Sequence, residues 1–152
     1  MSSAATAALR HSHFGIAVSD LERSARFYTG ALGFERAETY TIDDGLDVIM
    51  ELPGIRLDLL FLRRPDVTLE LIAYRQPATT GPRERRPMNQ HGLTHMSFWV
   101  DDLERALERV RAAGGTVHEH TRATVYNNLL VYCTDPDGVR VELMQQLPAT
   151  GD

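Results

Sequence analysis

HFGIAVSDLER, residues 13–23, returns as HMSFWVDDLER at residues 95–105. At one constant offset, from 13 to 95, six of the eleven positions are identical: His13 and His95, Val18 and Val100, Asp20 and Asp102, Leu21 and Leu103, Glu22 and Glu104, Arg23 and Arg105. A gap-free match at equivalent places in the two halves marks an internal duplication. Each copy opens on a short apolar run suited to a strand and passes into a helix-start signal. Ser19-x-x-Glu22 reads as a capping box and Asp101-x-x-Glu104 as its weaker relative. The first helix is expected from Asp20 to about Leu32, with Leu21, Ala25, Tyr28 and Leu32 on one stripe and Gly33 as its stop. The second is expected from Asp102 to about Ala113, with Leu103, Ala106, Leu107 and Val110 on its stripe and Gly114-Gly115 after it.

Strand-like segments follow each helix. In the first half they are Phe34 to Ile42, Ile55 to Leu62 and Val67 to Tyr74, with Arg63-Arg64-Pro65-Asp66 as a turn. Gly45 to Leu52 suits either a short helix or a mobile flap. In the second half they are Thr116 to Glu119, Leu129 to Thr134 and Val139 to Gln145, with Asp135-Pro136-Asp137-Gly138 as a tight turn. The expected fold is α+β: two tandem βαβββ modules forming a curved mixed sheet. Residues 1–152 read as one unit, made of module 1 (11–74), a connector (75–91) and module 2 (92–147).

Composition limits the function. The 152 residues, 43% hydrophobic and 24% charged, suit one globular unit with a closed core. The single cysteine, Cys133, excludes an internal disulfide and a thiolate zinc cluster, leaving His and carboxylate to hold any metal. Cys133 has no basic activator nearby in sequence and reads as structural. No stretch approaches the roughly 18 apolar residues of a membrane span, and MSSAATAALR has no apolar leader region. A cytoplasmic location and no membrane partner are expected. The formal charge of -5 argues against a nucleic-acid partner. Basic residues gather only between Arg75 and Arg86, in a Pro-, Thr- and Gly-rich stretch that reads as a solvated connector.

Strand parity then groups the polar residues. His13, Gly15 and Ala17 point away from Phe14, Ile16 and Val18; His95, Ser97 and Trp99 point away from Met96, Phe98 and Val100. The apolar sets should pack on the helices, so both histidines face the other way. Glu70 shares a face with Thr68 and Ile72, and Glu142 with Arg140 and Met144. Each glutamate is a lone acid in an otherwise apolar strand, where a cation offsets the cost of burying a carboxylate. His13, Glu70, His95 and Glu142 therefore form a candidate N₂O₂ set for one divalent ion: Ni²⁺, Co²⁺, Mn²⁺, Fe²⁺ or Zn²⁺. His11, His91, His118 and His120 lack this symmetry and read as surface histidines.

The stretches HFGIAVSDLERSARFYTGALGFE, LELIAY, GLTHMSFWVDDLERALERVRAAGG and YCTDPDGVRVELM resemble the vicinal oxygen chelate superfamily, which includes glyoxalase I, methylmalonyl-CoA epimerase, extradiol dioxygenases and fosfomycin-resistance proteins. The resemblance runs from His11 to about Gln146. It implies that His13, Glu70, His95 and Glu142 are the metal ligands. Glu at position 70 is similar to glyoxalase I, whereas dioxygenases generally carry no ligand on that strand. The resemblance thus implies proton abstraction next to a metal-chelated carbonyl of a small oxygenated substrate, by an isomerase, epimerase or lyase, with Glu142 and Glu70 as base and returning acid. Homodimers are common among such relatives.

Asp58, flanked by apolar residues on a neighbouring strand, is a further catalytic candidate, with a surface ion pair to Arg56 or Arg140 as its ordinary alternative. Arg140, two residues before Glu142, is a candidate anchor for a carboxylate or phosphate. Trp99, Tyr126, Tyr132 and Met144 are candidate cavity residues. Two other functions remain open at this level: Fe(II) extradiol-type ring cleavage, and metal-free binding of a small molecule as in resistance proteins.

Overall fold

A computed structural model describes residues 9–148. The duplicated sequence folds twice by the same local rules. Helix α1 (Leu21–Leu32) and helix α3 (Leu103–Ala112) are each capped by an aspartate, Asp20 accepting from the Arg23 amide and Asp102 from the Arg105 amide. These caps are homologous, and both lie one residue later than the boxes expected from Ser19 and Asp101. Ser19 is instead committed to Asp137, 118 residues away, through both its amide and its hydroxyl. Gly33, at φ 71°, closes α1: its amide bonds Thr29 and that of Phe34 bonds Tyr28, the paired pattern that satisfies terminal carbonyls.

The first sheet has the order β1-β4-β3-β2, from Phe14–Val18, Thr68–Gln76, Arg56–Arg63 and Glu35–Ile42. The second has β5-β9-β8-β6, from Met96–Trp99, Arg140–Gln146, Asn128–Thr134 and Thr116–Val117, with β7 (Ala123–Val125) also on β8. In each, the strand before the helix runs parallel to the last strand of its module, and the other pairs are antiparallel. The mixed α+β character is as expected, and the βαβββ order recurs with one added short strand, β7, in the second module. The strands hydrogen-bond as two sheets, and among the described residues β1 and β5 are free edges.

One apolar cluster joins the modules. It runs from Ile16, Val18, Phe27, Tyr28, Leu69 and Leu71 to Leu103, Leu107, Val110, Val141 and Leu143. The chain leaving α3 lies close against α1 at Gly115, where a Cβ would lie 2.4 Å from the Phe27 ring. The segment 45–52 contains one helical turn, α2 (Asp47–Met50), and with Ile42 it packs Leu46, Met50 and Leu52 on a second, smaller cluster of Ile55, Leu57 and Leu59.

The connector is less free than its composition suggests. The Thr79 hydroxyl donates to the Val18 carbonyl, Arg83 bonds Asp137, and the Glu84 backbone lies against Gly138, where a Cβ would come within 2.7 Å of it. These contacts draw residues 79–86 between the edge of β1 and the β8–β9 turn.

Candidate metal half-sites

Register places each candidate ligand. Gly15 pairs with Glu70 and Glu70 with Phe61; Ser97 pairs with Glu142 and Glu142 with Tyr132. The buried side chains of these strands, such as Ile16, Leu71, Val141 and Leu143, face the helices, which leaves both glutamates on the opposite faces. His13 and His95 stand immediately before β1 and β5. His13 Nε2 lies 3.3 Å from Glu70 Oε2, and His95 Nε2 lies 3.5 Å from Glu142 Oε2.

The other ring nitrogens are held in the same way in both halves. Ser12 Oγ is 2.9 Å from His13 Nδ1, and Thr94 Oγ1 is 2.9 Å from His95 Nδ1. With an ion between imidazole and carboxylate, Nδ1–H would donate to the hydroxyl and leave the Nε2 lone pair for the metal. An aromatic edge supports each imidazole, Phe61 at 5.6 Å and Tyr132 at 5.4 Å between ring centroids. Ser97 adds a donor in the second half only, with Oγ 2.7 Å from Glu142 Oε2. Burial, then the Glu142 charge, raises the Tyr132 hydroxyl pKa.

The four residues thus form two His–Glu pairs. Among the described residues, no three His, Cys, Asp or Glu side chains come close enough together to hold an ion within one chain. Each pair offers one imidazole nitrogen and one carboxylate, a donor set that fits half of a four-ligand divalent site.

Other candidates stand elsewhere. Asp58 pairs with Ala73 and Thr41, three positions along β3 from Phe61, so it lies on the opposite sheet face from Glu70. Its carboxylate accepts from Thr41 Oγ1 at 2.9 Å and pairs with Arg75 Nε at 3.1 Å, a partner that neither Arg56 nor Arg140 supplies. Trp99 shares the Glu142 face but is 61% exposed. Tyr126 is 95% exposed and forms, with Asn127, the two-residue turn between β7 and β8; both have positive φ. Met144, beside Leu130 and Trp99, lies on the same face as Glu142. Phe14 is 40% exposed and stacks on His11 instead of packing on the helices. His118 is partly buried against Thr134, and burial pushes its pKa down. Burial pushes the Cys133 thiol up to about 12, as suits a structural residue.

Ser12, Thr94 and Phe61 are neighbours of these pairs that sequence reasoning missed, while Ser97 was placed on the His95 face by parity without a role. Ser12 and Thr94 obey the repeat offset and could have been found by extending the alignment one residue.

A cleft of about 840 Å³ separates the free edges of β1 and β5. Phe14 to Ala17 form one wall and His95 to Phe98 the other; Thr80, Pro82, Glu84 and Arg86 of the connector and Arg140 complete it.

The family profile described as Glyoxalase/Bleomycin resistance protein/Dioxygenase superfamily matches residues 10–143. A lactoylglutathione lyase of Salmonella typhimurium is 28% identical over 138 residues, 90% of this chain and 93% of that protein. Among solved structures, the glyoxalase family protein of Bacillus cereus is 19% identical with a TM-score of 0.84, covering 97% of this chain and 100% of that one. The trypanothione-dependent glyoxalase I of Leishmania major is 21% identical with a TM-score of 0.64, over 91% and 88% of the two chains.

Proposed function

The chain belongs to the Glyoxalase/Bleomycin resistance protein/Dioxygenase superfamily, and from that premise we propose that it is a divalent-metal-dependent lyase or isomerase moving a proton next to a carbonyl of a small oxygenated substrate. The observation that carries the reading is the pair of matched His–Glu contacts, 3.3 Å and 3.5 Å, each with its second imidazole nitrogen on a hydroxyl. Similarity to lactoylglutathione lyases supports proton transfer over oxygen chemistry, as does Glu70 turning toward His13.

His13 and Glu70 of one copy and His95 and Glu142 of a second would hold the ion in a homodimer, since one chain presents them as separate pairs. A divalent ion held by these four side chains would supply Lewis-acid polarisation of a carbonyl, which would make the proton on the adjacent carbon removable. Glu70 Oε2, which lacks a hydroxyl donor such as Ser97, is the less tethered carboxylate and takes the proton. Glu142, held by Ser97, stays in place as a ligand, and Glu70 itself hands the proton back to the neighbouring carbon or oxygen. Phe61 and Tyr132 keep the imidazoles oriented.

Mixing two variants tests both parts. His13→Ala and His95→Ala homodimers should each lose stoichiometric Co²⁺. Refolded together, they should regain roughly a quarter of the wild-type sites, because half the dimers are mixed and each holds one intact site. Recovery should restore exchange of hydroxyacetone protons into D₂O. Binding by the wild type without recovery on mixing would place all four ligands in one chain; no stoichiometric metal in the wild type would end the reading.

A further inference from the structure

Arg140 is 8% exposed, the most buried arginine of the described residues. A guanidinium keeps its charge under such burial and normally meets a carboxylate. Arg140 instead donates to the Arg86 carbonyl at 2.7 Å, the Thr94 carbonyl at 3.2 Å and the Met88 sulfur at 3.6 Å, and its Nε–H has no acceptor. Like charges surround it. Arg86 lines the same cleft and donates only to the Leu93 carbonyl, while Arg85 stands beside His120. Burial, then repulsion from Arg85, holds the Arg140 guanidinium below its ordinary pKa.

The local acids do not compensate. Asp137 is saturated by Ser19, Arg23 and Arg83, and Asp66 pairs with Arg64. Glu84 is exposed, and its backbone is clamped against Gly138, the contact that brings Arg85 and Arg86 to this place. The cationic pocket is also continuous with the second half-site: the Arg140 guanidinium lies over the Tyr132 ring at 5.7 Å, and that ring meets His95 at 5.4 Å.

We infer that the cleft between β1 and β5 carries an anion subsite built on Arg140 and Arg86, so that the substrate handled at the neighbouring half-site bears a carboxylate or phosphate group. This rests on the proposed function for the identity of the ligand as substrate, but the pocket binds an anion whether or not the metal site forms. Arg140 and Arg86 both line the cleft, so an anion there meets two guanidinium charges that no carboxylate among the described residues neutralises.

The test uses the full chain in excess EDTA, so that loss of the metal reading leaves it intact. Arginine Nε–H resonances are followed by NMR during titration with inorganic phosphate and, separately, acetate, at constant ionic strength; Arg140→Lys assigns the signal. The Arg140 resonance should shift saturably with a Kd on the order of 1 mM for at least one anion, and which anion does so identifies the group. Arg86→Gln, at an exposed position, should weaken binding several-fold with the fold retained, which covers the case in which Arg140→Lys does not fold. A linear, unsaturable shift with both anions overturns the inference, and so does equally tight binding by Arg140→Lys, read at the Arg86 Nε–H resonance, or by Arg86→Gln, read at that of Arg140.

Discussion

Ser12, His13, Glu70 and Phe61 in the first half occupy the places of Thr94, His95, Glu142 and Tyr132 in the second. The distances between them nearly coincide, 3.3 against 3.5 Å for His–Glu and 2.9 Å for both hydroxyl–imidazole contacts. Two positions break the likeness. Gly15 faces Glu70 where Ser97 faces Glu142, and Phe61 stands where Tyr132 brings a hydroxyl. Duplication has kept the hydroxyl–imidazole–carboxylate contact and changed the residues beside each carboxylate. The largest expected effect tests the shared part: His13→Ala and His95→Ala should each weaken Co²⁺ binding more than about 100-fold, beyond the roughly 10–100-fold that outer partners contribute. Competition with a chelator measures it, and a tenfold disparity between the two would show that the halves are not equivalent.

A second comparison concerns the turns before the two glutamate strands. Asp66 in the first is mostly exposed and pairs only with Arg64 at 3.5 Å. Asp137 in the second has a 7% exposed side chain and accepts from the Ser19 amide and hydroxyl, Arg23 and Arg83, tying α1 and the connector to module 2. Burial pushes its pKa up, but these donors outweigh burial and the net shift is below the ordinary 3.8. A depressed folded-state value stabilises the protein above the unfolded pKa, and the gain fades as pH falls through it. Asp137→Asn should therefore cost about 1.5–3 kcal/mol at pH 7, and the gap from wild type in urea unfolding should close in acid. A gap unchanged at low pH would mean that shape, not charge, makes the tie.

Much of this was legible in the sequence because the repeat carries strand parity with it. One alignment fixes both histidines and both helices, though it sets the caps one residue early at Ser19 and Asp101, and parity alone puts Glu70 and Glu142 opposite the core. Long-range commitments were not legible. Nothing in Ser19-x-x-Glu22 reveals that Ser19 leaves its own helix for Asp137, and Asp58 looked like a site acid because its true partner, Arg75, lies on another strand. The connector read as solvated because Gly138 receives the Glu84 backbone by shape, which composition does not encode. The hydroxyls at Ser12 and Thr94 test how far the repeat extends into chemistry. Ser12→Ala and Thr94→Ala should each lower Co²⁺ affinity about 10-fold, whereas Ser12→Thr should be neutral because it copies the other half.

The smallest effect is the most pointed. Gly15 does not have a left-handed backbone, and a Cβ there would lie 3.5 Å from Ile72 Cδ1 and 3.7 Å from Glu70 Oε2, ordinary contacts that require no movement. Gly15→Ser therefore installs in the first half the hydroxyl that Ser97 supplies in the second, within reach of the carboxylate proposed to move. A hydrogen bond of this kind is worth about 0.5–1.5 kcal/mol, so hydroxyacetone proton exchange should slow roughly 2- to 10-fold, with Co²⁺ affinity held. Ser97→Ala removes the donor from the residue proposed to stay still, and should alter Co²⁺ affinity more than exchange. If Gly15→Ser leaves exchange at the wild-type rate while Ser97→Ala slows it, the roles reverse and Glu142 is the carboxylate that takes the proton.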